Sequence, residues 1–261
     1  MPGGALDRIG AVAGATLRSS LNGRRPVGLL LVSAVFPLLV LAVASGHRTG
    51  IDLVAASEEL YSALFLPVLL LLVCLVMGSG LLRGEIEDDT IVYPVMRSLP
   101  RWTLVVGKFA GFVLAALLFL LPAALLGPAF AIVFNAGPQV SLDGLAATLV
   151  TTTVVAVLAY GAFFLLLGLL TRQALVLGLI YGFFWETFVP LLPGPLKQLT
   201  VVYYLRQIGG HLASAGPLAS ASNPVGLGTA ILVPLLFALA LLVLTCAYIA
   251  QAELRPAPTP A

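Results

Sequence analysis

The amino-acid sequence predicts an all-α, polytopic membrane protein of six transmembrane helices. The composition, the length of the apolar stretches and the placement of basic residues support this fold class. Of the 261 residues, 60% are hydrophobic and 9% are charged, whereas a soluble domain carries about 25% charged residues. A soluble chain of this composition would have too little polar surface to cover its core, so lipid is the expected solvent.

Six stretches are apolar enough, and long enough, to cross a bilayer as helices of about 20 residues. They predict spans at residues 27–46, 60–82, 104–134, 145–170, 173–192 and 227–251. Backbone polar groups in lipid must bond within the chain, so helices are expected rather than open strands. Prolines are expected to kink these helices, or to mark where they leave the membrane, at Pro37, Pro67, Pro122 and Pro128.

The expected location is the plasma membrane, as a multi-pass protein, and the basic residues predict that both termini lie in the cytoplasm. In this orientation the outer segments hold Arg48, Lys197 and Arg206, and every other Lys and Arg lies inside. Arg24 and Arg25 before an apolar run also fit a cleavable signal peptide. The five spans that follow favour retention of the first helix.

Three segments outside the spans have their own predictions. Residues 1–25 carry apolar residues at mostly helical spacing, which predicts an amphipathic helix on the cytoplasmic face, with a mobile tail as the alternative. Residues 190–226 predict a short helical insert on the outer side, between the fifth and sixth spans. Residues 252–261 are proline-rich and predict a disordered cytoplasmic tail.

Several kinds of site are absent from the sequence. It contains no phosphate-binding loop, so the chain is expected to bind no ATP of its own and to be no enzyme. Cys74 and Cys246 lack metal-ligand spacing, and no metal or cofactor is predicted. The net charge of +2 is too small to indicate a nucleic-acid partner.

The connection between the second and third predicted spans has an unusual charge pattern. Glu85, Glu87, Asp88 and Asp89 are acidic, and basic residues follow at the other end of the connection. A plain connection between helices needs only about 2–8 residues, and this one is longer. The segregated charges fit either a solvated loop or a surface that docks onto a cytoplasmic partner.

The same segment resembles the cytoplasmic loop of ABC-2-type permeases, the membrane subunits of one class of ABC exporters. The matching positions are Glu85, Glu87, Thr90–Ile91, Tyr93, Arg97, Arg101–Trp102 and Gly107–Lys108. Asp89 and Ser98 depart from the family pattern, which has Gly and Pro there. The fifth span is similar to the family in a second motif, where Trp185 and Glu186 precede Leu192–Pro193–Gly194.

This resemblance implies a permease subunit that forms the path for export of an unidentified substrate. It implies a separate ATP-binding cassette subunit that binds the ATP, a second permease copy, and a homodimer interface formed by the first and fifth spans. It also implies a coupling helix in the loop, with site residues Glu85, Glu87, Asp88, Asp89, Thr90, Arg97, Arg101 and Lys108.

Three of the candidate site residues have specific expectations. Thr90 is expected to cap the coupling helix, and Lys108 to extend to the cytoplasmic surface. Glu186 lies about 21 Å along the helix axis from Arg172, at about 1.5 Å per residue, and therefore in the outer half of the bilayer. With Trp185, it is expected either on the translocation path or in a structural hydrogen bond. The alternative function is an ion-coupled secondary transporter that uses Glu186 as its coupling carboxylate.

Overall fold

The computed structural model describes residues 5–22, 25–46, 52–81, 101–134, 142–192, 194–213, 218 and 225–252. Throughout these residues the regular structure is helical. A 3₁₀ turn at Pro195–Leu199 precedes α7. The helices are α1 (Ala5–Leu21), α2 (Arg25–Ser45), α3 (Leu53–Ser79), α4 (Arg101–Phe134), α5 (Leu142–Leu170), α6 (Ala174–Leu191), α7 (Val201–Leu212) and α8 (Leu227–Ala252).

Six of the helices, α2 to α6 and α8, are long and apolar enough to cross a membrane. This confirms the predicted fold class, an all-α membrane protein of six spans. The predicted disordered tail, residues 252–261, lies outside the described residues except for Ala252, the last residue of α8.

The second span begins at Leu53, earlier than the predicted residue 60. Asp52 caps this helix, because its Oδ1 accepts hydrogen bonds from Val54 N at 3.0 Å and Ala55 N at 3.4 Å. The predicted span began after the charges of Glu58 and Glu59. In the structure Glu58 is buried, and its Oε2 accepts a hydrogen bond from Leu218 N at 3.3 Å, so the helix continues through it.

The membrane-spanning helices contain two π-helical segments, Tyr61–Leu70 in α3 and Tyr181–Phe188 in α6. Such wide turns are rare and occur mostly as short interruptions of α-helices, frequently at functional sites. Pro67 lies inside the first of them. None of the four prolines singled out in the sequence ends its helix.

The helices α3, α4 and α5 form the interior of the bundle and are more buried than α2, α6 and α8. Helix α4 contacts α1, α2, α3 and α5. Helix α5 contacts α3, α4, α6, α7 and α8. The peripheral helices keep large apolar side chains exposed, as expected for surfaces that face lipid or another membrane protein. They include Leu30 and Leu31 of α2, Phe183 and Phe184 of α6, and Leu236 and Leu239 of α8.

Glycines allow several of these helices to approach each other closely. A methyl group added at Gly111 of α4 would meet the Ala13 carbonyl oxygen of α1 at 2.5 Å. One added at Gly168 of α5 would meet the backbone of Ser79, at the end of α3. Small residues serve this purpose in membrane bundles, because packing and not the hydrophobic effect holds the helices together.

We expect Gly168→Ala to destabilise the protein by about 1–3 kcal/mol, because the added methyl overpacks a site that faces backbone. Gly28→Ala is the matched control, since nothing lies within 4 Å of a methyl group at Gly28. In the control the helical preference for Ala over Gly is expected to add about 0.5–1 kcal/mol of stability. Thermal unfolding of the purified variants measures both. Equal stability of the two variants would contradict the contact between α5 and α3.

Candidate functional site

The chain turns sharply between α6 and α7. A 3₁₀ turn at Val189–Leu191 ends α6. Gly194 then adopts φ +107°, a conformation that glycine takes without the strain a side chain would cause. Thr200 occupies the N-cap position of α7 but accepts no cap bond, and its hydroxyl donates to the carbonyl of Lys197 at 2.7 Å.

The carboxylate of Glu186 supplies the cap that Thr200 does not. Its Oε1 accepts a hydrogen bond from Val201 N at 3.2 Å, and its Oε2 accepts one from Val202 N at 3.0 Å. The first backbone N–H groups of a helix lack partners within the helix and carry partial positive charge. A side chain of α6 therefore satisfies the first turn of α7, in which Val201 and Val202 are both buried.

Two tyrosines complete the surroundings of this carboxylate. Tyr160 of α5 donates its hydroxyl to Oε2 at 3.0 Å, and Tyr181 of α6 donates to Oε1 at 2.5 Å. Each carboxylate oxygen thus accepts two hydrogen bonds, and Glu186 is 1% exposed. Because a carboxylate has about four lone-pair positions, its capacity to accept is filled. Glu186, Tyr160, Tyr181 and the N–H groups of Val201 and Val202 form a cluster, the Glu186 cluster, that links α5, α6 and α7.

Trp185 makes a second connection between the same two helices. Its indole Nε1 donates to the carbonyl of Leu199, just before α7, at 3.3 Å. Its ring is 39% exposed, in contrast to the buried carboxylate beside it. The two residues of the Trp-Glu motif therefore both bind the chain that leads into α7.

The tyrosines that bind Glu186, and Tyr61 of α3, are not among the site residues that the sequence predicts. The Tyr61 hydroxyl is 2.7 Å from Thr152 Oγ1 and 3.0 Å from Thr153 Oγ1, both on α5. The signal that could have identified them is the presence of a tyrosine within an apolar span. Tyrosines favour the membrane interface, and a buried hydroxyl usually finds a partner.

The prediction that Lys108 extends to the aqueous surface is wrong. Its side chain is 4% exposed, and Nζ donates to the carbonyl of Leu81 at 3.1 Å. Leu81 follows the end of α3, where helix carbonyls lack partners and an ammonium is electrostatically favoured. Lys108, near the start of α4, therefore binds the end of the neighbouring helix.

The other loop residues are mostly beyond what the structure describes. Arg101 is the first residue of α4. Glu85, Glu87, Asp88, Asp89, Thr90 and Arg97 lie outside the described residues. Within the described ranges, no three His, Cys, Asp or Glu side chains come together in a way that could hold a metal ion.

We expect Glu186→Gln to destabilise the protein by about 1.5–3 kcal/mol, the contribution of a hydrogen bond to a charged group. The amide places an NH₂ donor where the site offers only donors. Thermal unfolding measures the loss, and hydrogen exchange at the Val201 and Val202 amides is expected to speed up. Glu59→Gln is the control, since Glu59 is an exposed carboxylate at the start of α3. Unchanged unfolding and unchanged amide protection in Glu186→Gln would show that the cap contributes nothing.

Comparison with known proteins assigns no family to this chain: no family model matches it, and no curated protein matches it significantly.

Proposed function

We propose that the chain is the permease subunit of an ABC-2-type exporter, driven by a separate ATP-binding subunit. The proposal starts from the resemblance of residues 83–108 and of Trp185–Glu186 to that family. Six helices able to span a membrane are consistent with it. A permease of this kind must receive mechanical work from its ATPase through a cytoplasmic contact and pass it to the membrane helices.

The hydrogen bond from Lys108 to Leu81 is the observation that carries the proposal furthest. Leu81 is the last described residue before the loop, and Lys108 lies a few residues after the loop ends. The bond joins the two helices that the loop connects, α3 and α4. A displacement applied to the loop would therefore move both helices together, as coupling to an ATPase requires.

The position of α1 agrees with this mechanism. Its residues Val12 and Ala13 pack against Gly107 and Gly111 of α4 so closely that a methyl group on either glycine would collide with them. The same end of α4 thus contacts α1 and the end of α3. Movement of the loop would be transmitted through packed backbones rather than through flexible side chains.

The surroundings of Glu186 weigh against the alternative, an ion-coupled transporter. A coupling carboxylate must bind and release a proton or cation during transport. Both oxygens of Glu186 are already occupied by two backbone N–H groups and two tyrosine hydroxyls. Binding an ion there would require breaking the cap of α7.

The loop is expected to dock through its acidic residues. We expect the double variant Glu87→Lys, Asp88→Lys to lower the affinity for the proposed ATP-binding subunit by roughly tenfold or more. Reversed charges would repel basic residues that the acidic ones attract. Binding is measured with the two purified subunits.

Glu59→Lys is the matched control, because it reverses one exposed carboxylate elsewhere, at the start of α3. It is expected to bind the ATPase normally. Full affinity of the double variant would refute docking through Glu87 and Asp88. Loss of folding in the double variant is checked by its thermal unfolding.

The proposed assembly contains two permease copies and two ATPases. The helices α2 and α6 are among the least buried of the six spans and expose apolar side chains, so they have surface to offer a second copy. Native mass spectrometry of the complex is expected to find two copies of the 27.1-kDa chain. ATP-dependent transport by a single chain without an ATPase would contradict the assembly.

A further inference from the structure

A group of polar side chains around the half-buried Arg206 lies on α7, one turn after the helix start that Glu186 caps. Tyr203 Oη, Arg206 Nε and Gln207 Oε1 are all buried and have no hydrogen-bond partner among the residues that the structure describes. Tyr203 and Gln207 are 6% and 5% exposed. Residues three and four apart are neighbours on a helix surface, so these side chains share one face. Buried polar groups of this kind normally have partners, and three within one helical turn require an explanation.

The charge of Arg206 is not balanced within the described part of the chain. Its Nη2 donates to the carbonyl of Ser62 in α3 at 3.4 Å, and no carboxylate there forms an ion pair with it. Burial lowers the pKa of the guanidinium. A guanidinium nevertheless stays charged in proteins, and removing an unpaired charge from water is unfavourable.

The chain that flanks α7 supplies a cation, Lys197, and no carboxylate. Residues 187–252 contain no Asp or Glu, and Lys197 Nζ lies 5.7 Å from the centre of the Tyr203 ring. The neighbouring carboxylates form no ion pair with Arg206, since Glu186 accepts from Val201 N and Val202 N, and Glu58 accepts from Leu218 N. Water could satisfy the hydrogen bonds of the three side chains but would leave the charge unbalanced.

We propose that Tyr203, Arg206 and Gln207 form a binding site for an oxyanion of the phosphate-ester class, supplied by a free solute or by a lipid headgroup. Arg206 Nε donates to an anionic oxygen, and Tyr203 Oη donates to a second one. Gln207 Oε1 accepts from a protonated oxygen or a hydroxyl of the same ligand. This site is independent of the proposed exporter function.

The test uses the purified full-length chain in phosphatidylcholine nanodiscs, with thermal unfolding followed by tryptophan fluorescence. Inorganic phosphate is titrated against chloride at equal ionic strength. A second arm replaces part of the phosphatidylcholine with phosphatidylglycerol, without phosphate. We expect one or both probes to raise the unfolding midpoint, because a ligand that binds the folded state stabilises it. A response to phosphate indicates a solute, and a response confined to phosphatidylglycerol indicates a headgroup.

Arg206→Gln is expected to need roughly tenfold or more phosphate, or anionic lipid, for the same shift. Arg172→Gln is the matched control, because it removes an exposed arginine between α5 and α6. It is expected to respond like the wild type. A wild type that responds to neither probe, or an equal response from Arg206→Gln, overturns the site.

Tyr203→Phe provides a test that does not depend on the folding of the arginine variant. It removes only the hydroxyl that lacks a partner. In chloride its midpoint is expected to equal or exceed that of the wild type, whereas its response to the probes is weaker. A lower midpoint in chloride, or an undiminished response, would show that the hydroxyl does not serve a ligand.

Discussion

The Glu186 carboxylate determines how the fifth spanning helix, α6, is joined to α7. The start of α7 is buried, and an unsatisfied buried N–H group costs about 1–3 kcal/mol. Thr200, at the N-cap position, makes no side-chain cap bond, and its hydroxyl donates to the Lys197 carbonyl. Glu186 accepts from Val201 and Val202 instead, and Tyr160 holds it from α5. The break after α6 is thereby a fixed junction of three helices.

The backbone groups at both ends of α3 also need hydrogen-bond partners, and charged side chains provide them. Asp52 caps the first turn of this helix with its own side chain. At the other end, Lys108 of α4 donates to the Leu81 carbonyl, which needs a partner where the helix stops. Helix ends inside a bundle must be satisfied by protein groups when water is excluded. Lys108 and Glu186 therefore connect neighbouring helices, whereas Asp52 caps its own helix.

Close packing restricts the movements that such connections could transmit. Gly168 of α5 lies against the backbone of Ser79, and Gly111 of α4 lies against Ala13 of α1. Packed backbones behave as rigid contacts, since protein interiors have few voids and low compressibility. Motion of α3 is consequently shared with α5, and motion of α4 with α1. The two π-helical segments, which lie in α3 and α6, are where the regular hydrogen-bond ladder is interrupted.

The sequence by itself determined the fold class and five of the six spans to within a few residues, because span length and apolar composition are local properties of the chain. It also singled out Glu186 as a costly charge in an apolar helix. Only the tertiary structure decided which groups bind that charge, that Lys108 is buried, and that α3 extends through Glu58. Each of these depends on a partner far away in sequence, such as Val202 or Leu218, and residue spacing carries no information about which distant groups meet.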